Sequence, residues 1–147
     1  GLNKWERTDG CLYLVQELAA SGRYMASDKW DAALKLLASV SSLRHFVKHV
    51  TLLATLWKVL PALAKALGAE VIKRHLPNFA DSLDYSVLCE DELAVNAAKT
   101  CLLELDRCLG HESFCECIKN HDDALLDRLL ANLPPPLMRG KLGGYSS

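Results

Sequence analysis

The chain has 147 residues, half of them apolar and 24% charged, with a formal net charge of −1. That balance excludes a disordered or fibrous chain and is enough for one domain with a buried core. Leu and Ala outnumber the β-branched and aromatic residues, which favours helix over strand.

Three glycines punctuate the chain. Gly22, Gly68 and Gly110 each close an amphipathic stretch, ending Leu18-Ala-Ala-Ser-Gly22, Leu63-Ala-Lys-Ala-Leu-Gly68 and Leu105-Asp-Arg-Cys-Leu-Gly110. A glycine just past a helix end takes the left-handed conformation without a Cβ penalty. The spacing from one to the next approximates one two-helix repeat unit, so the chain reads as three helical hairpins.

In chain order, the first hairpin pairs a helix over 6–21 with one over 28–41. Leu12, Val15, Leu18 and Ala19 make an apolar stripe on the first, and Trp30, Leu34, Leu37 and Ala38 line the second. Ser27 is a candidate N-cap. A short helix over 43–49 then leads into one over 51–67, with Thr51 as a candidate cap. Pro61 either bends that helix or restarts it. The partner helix covers 69–83, where Pro77 poses the same question. The third hairpin pairs 91–109 with 122–133, and a short helix over 112–119 lies between them. Val95, Ala98, Leu102, Leu105 and Leu109 form its stripe. Glu90-Asp91-Glu92 and Asp122-Asp123 stand where helix caps and first-turn acids belong. Pro134-Pro-Pro136 ends the pattern, giving a helical domain over 1–133 and a Pro/Gly-rich tail or linker over 134–147.

Several segments resemble HEAT and armadillo repeats. Trp5-Glu-Arg7-Thr-Asp-Gly10-Cys-Leu12 is similar to the opening of HEAT first helices. Leu60-Pro61-Ala-Leu63 and His75-Leu76-Pro77-Asn-Phe79 resemble their Leu-Pro-x-Leu cores. Glu92-Leu-Ala-Val95-Asn-Ala97-Ala98-Lys-Thr-Cys-Leu102 resembles the Val-Arg-x-Ala-Ala stretch, with Asn96 where Arg usually stands. The resemblance covers residues 5 to about 130. It implies an all-α, right-handed α-solenoid of about three hairpins that serves as a non-enzymatic protein-interaction scaffold. The Trp-bearing first helix also looks like that of tubulin-binding TOG domains, which makes tubulin the alternative partner. A compact eight-helix peptide-binding superhelix has a similar length.

No secretory leader is expected ahead of the six cysteines (Cys11, Cys89, Cys101, Cys108, Cys115 and Cys117), because the opening Gly-Leu-Asn-Lys-Trp lacks a basic and then apolar run. They read as free thiols of a cytoplasmic or nuclear protein. The apolar run from Val50 to Ile72 carries Lys58, Pro61, Lys65 and Glu70, so no membrane span is expected.

Cys108-x-x-His111-x-x-x-Cys115-x-Cys117-x-x-x-His121 offers five soft or imidazole donors, and zinc needs four in a tetrahedron. The paired Cys-x-x-Cys knuckles are missing, and buried thiols beside surface histidines account for the same residues. A zinc-stabilised domain is therefore a second alternative. His45 and His49 lack the intervening Glu of a metalloprotease motif and sit beside Arg44 and Lys48, so a solvated basic face explains them. No nucleophile elbow, phosphate-cradling loop or nucleotide fingerprint is present, and neither enzyme activity nor a cofactor is expected.

Charge is uneven. Residues 1–75 hold eleven Lys/Arg against six Asp/Glu, and residues 76–147 hold six against twelve. Arg44, Lys48, Lys58, Lys65, Lys73 and Arg74 make a candidate basic ridge on the second hairpin, suited to an acidic segment of a protein partner. Ordinary solubilisation explains the same pattern. Interleaved aromatics for base stacking are missing, so nucleic acid is not the expected partner.

Overall fold

The computed structural model describes residues 27–42 and 48–133. Among them lie six helices and no strand: α1 (Ser27–Ser41), α2 (Val50–Leu67), α3 (Ala69–Leu88), α4 (Glu92–Leu109), α5 (His111–Lys119) and α6 (Asp123–Leu130). The expected helix over 6–21, the glycine at 22, Arg44 and the tail over 134–147 lie outside the described residues.

The helix boundaries follow local chemistry. The Asp91 carboxylate accepts the Leu93 N–H at 2.9 Å and Asp122 accepts the Leu125 N–H at 3.2 Å, so both acids cap as their positions predict. Helix α2 starts one residue earlier than expected. The His49 carbonyl accepts the Leu53 N–H at 3.0 Å, which makes His49 the N-cap and leaves Thr51 inside the first turn, where its carbonyl accepts the Thr55 hydroxyl. Lys48 and His49 are therefore not helical, contrary to the short helix expected over 43–49, whose other residues are outside the described ones. Likewise Ser27 is the first helical residue of α1, not a residue ahead of it.

Gly68 and Gly110 have φ of 98° and 85°, as a helix-terminating glycine should. Their ψ values of 156° and 139° are extended, so neither closes the left-handed cap that the sequence suggests. Each instead serves as a one-residue joint between two helices, in a region essentially restricted to glycine.

Pro61 and Pro77 both lie inside continuous helices. Pro77 has no N–H to donate to the Lys73 carbonyl one turn back. The Cys117 thiol of α5 donates to that same carbonyl at 3.0 Å, so a side chain from a neighbouring helix replaces the missing backbone bond.

Packing centres on α3, which touches every other described helix, while the most extensive interface joins α2 to α4. Helix α2 is buried around nearly its whole circumference, from Leu52 to Trp57 and again from Val59 to Pro61. It is long and apolar enough to cross a membrane by length and composition, and 61% of it is buried inside this fold. Trp57, Phe79 and Phe114 are the largest fully buried side chains, and Trp30 joins the same core. Trp57 Nε1 donates to Ser86 Oγ at 2.8 Å, tying α2 to the C-terminal end of α3. That end extends five residues beyond the expected boundary at 83, because Ser86 and Val87 continue its buried stripe.

Lateral contacts recur at nearly constant sequence separation. Asp31 of α1 reaches Arg74 and His75 of α3, 43 and 44 residues on, and Ser41 meets Ser82, 41 residues on. Lys73 and Asp84 of α3 meet Cys117 and Arg128, each 44 residues on. Helix α1 therefore runs parallel to α3, and α3 runs parallel to α5 and α6 in series. The third pair is not the one expected: α6 packs on α3 and α5 with no extensive contact to α4. The nine residues of α5 and eight of α6 together flank the 20-residue α3, and α5 rather than the 122–133 segment packs on α4.

Candidate interaction surface

Helices α2 and α4 together line a surface groove of about 490 Å³. Pro61 and Ala97 are among its apolar lining, and Lys58 and Lys65 stand two turns apart on the α2 side. Asn96 and Thr100, one turn apart and exposed, face it from α4, and Leu93 is 49% exposed at the same lip. Lys65 Nζ is 3.0 Å from Glu104 Oε2, which closes one end of the groove with an ion pair. Lys58 is exposed, with no ion pair to another described residue. The groove thus combines an apolar base, one amide, one hydroxyl and an ammonium group, a set suited to a peptide carrying a carboxylate.

The described members of the predicted ridge have different surroundings. Lys48 lines a separate cleft of about 800 Å³ in which Asp81, Asp84, Glu90 and Asp91 outnumber it. Lys73 pairs with Glu70 at 3.1 Å. Arg74 holds both Asp31 carboxylate oxygens, at 3.0 and 3.1 Å. Those two cations are already engaged, and Arg74 helps dock α1 on α3. Among the described ridge residues, Lys58 and Lys65 border the groove; Arg44 lies outside the described residues.

Asp31 carries a second partner. His75 Nε2 lies 2.7 Å from its Oδ1, and the hydrogen bonds from His75 and then Arg74 hold the Asp31 carboxyl below its ordinary range. His75 is buried, and its Nδ1 finds no hydrogen-bond partner among the described residues.

The five candidate zinc donors are dispersed. Cys108 packs half-buried against the core and Cys117 donates to the Lys73 carbonyl. His121 Nε2 lies 3.7 Å from Asp81. Only His111 and Cys115 meet, with Nε2 to Sγ at 3.6 Å, while His111 Nδ1 lies 2.7 Å from Asp106 Oδ1. Among the described residues no group of three or more such donors is arranged to hold a metal ion. Sequence reading overlooked Asp106, although an acid one turn before a helix-breaking glycine, then His and Cys four apart, is a pattern visible in the chain.

No family model, curated protein or solved structure matches this chain.

Proposed function

We propose that this chain is a non-enzymatic interaction module, a right-handed α-solenoid of HEAT or armadillo type that docks an acidic segment of a protein partner in the α2–α4 groove. The observation that carries this reading is the repeated lateral offset of 41 to 44 residues linking α1 to α3 and α3 to α5 and α6. Equivalent helices of stacked hairpins lie side by side with one repeat length between them, and the stack leaves an extended surface for binding. Helices α2 and α4 form the opposing row, with Lys58, Asn96 and Thr100 on its outer side.

A Glu-rich peptide with one central Leu is a defined probe. Reversing Lys58 to Glu should weaken its binding roughly three- to tenfold at low salt, with the effect shrinking as salt rises. Lys48→Glu, in the acidic cleft, should leave affinity unchanged. Equal affinities for the wild type and Lys58→Glu would defeat the groove as the docking site. Lys73 and Arg74 are poorer probes, because their reversal also breaks ion pairs within the fold. Co-sedimentation with tubulin that Lys58→Glu abolishes would specify the partner as cytoskeletal.

A further inference from the structure

Three side chains meet where α4 gives way to α5. Asp106 is buried, 5% exposed, in the last turns of α4. Gly110 turns the chain, and His111 opens α5 with its Nδ1 2.7 Å from Asp106 Oδ1. A carboxylate only accepts, so this contact assigns the proton to Nδ1 and leaves Nε2 as the basic nitrogen. One helical turn on, the half-buried Cys115 sulfur lies over the imidazole face, 3.6 Å from Nε2 and 3.9 Å from Nδ1.

The other described thiols have different surroundings. Cys101 is fully buried, and burial pushes its pKa up. Cys117 is also pushed up by burial and donates to the Lys73 carbonyl. Cys89 donates to the Ser86 carbonyl at 3.2 Å. Cys108 is half-buried against the core. A thiol reacts as its thiolate, and a neighbouring base in a solvent-reachable position is what separates reactive cysteines from inert ones.

We propose that Cys115 is a redox modification site, a thiol activated by His111 and oxidised by hydroperoxides to the sulfenic acid. A turn of the Cys115 side chain brings the thiol from the ring face to its edge, where His111 Nε2 takes the proton. The sulfur then attacks one peroxide oxygen, an S–O bond forms and the O–O bond breaks. Sulfur loses two electrons, the peroxide gains them, and the departing hydroxide or alkoxide recovers a proton from His111 as water or alcohol. Asp106 is a positioning residue that fixes the ring's tautomer.

The test treats the full reduced chain with hydrogen peroxide in the presence of dimedone and maps the adducts by mass spectrometry. Cys115 should be labelled about tenfold faster than Cys89, Cys108 or Cys117, a modest share of what a positioned base contributes. His111→Gln should erase that lead, and Asp106→Asn, which keeps the ring but loosens its tether, should reduce it. Cys101 labelling reports any loss of the fold, so a variant that opens is recognised and the other is read instead. Labelling of Cys115 no faster than Cys89 in the wild type, or an undiminished lead in a folded His111→Gln chain, would overturn the assignment.

Discussion

Cys117 and Pro77 depend on each other. The proline leaves the Lys73 carbonyl without its helical donor, and the thiol from α5 supplies one. Removing the donor from this part-buried carbonyl should cost about 1 kcal/mol, so Cys117→Ala should lower the urea midpoint of the folded chain. Pro77→Ala should make the same Cys117→Ala change less costly, because the backbone then supplies its own bond; a double-mutant cycle measures that coupling. Asp31 gives a pH signature. Its carboxyl is held below the ordinary value of 3.8 by His75 and Arg74, so its contribution is complete above that value and is lost as pH falls through the lower folded value. Urea midpoints measured across the acid range should fall less steeply for Asp31→Asn than for the wild type. None of these partnerships was legible in the sequence, because each joins residues forty or more positions apart. Arg74 stood among the ridge candidates for that reason, since its partner Asp31 lies on another helix.

At the scale of the element, the helices themselves were largely legible. Asp91, Gly110 and Asp122 bound α4, α5 and α6 where composition places them, since caps and breakers act within one turn. The interior prolines left a real ambiguity, because a proline's local cost does not reveal whether tertiary contacts offset it. The end of α3 was set too early, since Tyr85 and Leu88 are exposed and interrupt the apolar pattern while Ser86 is buried by its bond to Trp57. The joints were legible as glycines but not as a backbone state. An added Cβ at Gly68 or Gly110 would meet nothing within 4 Å, so the penalty of alanine there is conformational, about 1–3 kcal/mol in chemical denaturation. The candidate groove was half legible: Lys58 and Lys65 were among the expected contacts, whereas Asn96 and Thr100 join them only once α2 and α4 are side by side.

For the molecule as a whole, the all-helical class follows from composition and periodicity, while the pairing of helices does not. Sequence gave α4 and the 122–133 segment as partners, and the fold instead lays α6 along α3 beside α5. Core truncation should be felt throughout: Phe79 is fully buried on the helix that every other described helix touches, and Phe79→Ala should cost about 3–5 kcal/mol in chemical denaturation. Repeat arrays ordinarily tolerate fraying from their ends, since each unit leans only on its neighbours. Here α3 has no such independence. Its amides should be the last to exchange with deuterium, and the described helices should melt in a single calorimetric step, because no subset of them survives once that central rod has lost its shape.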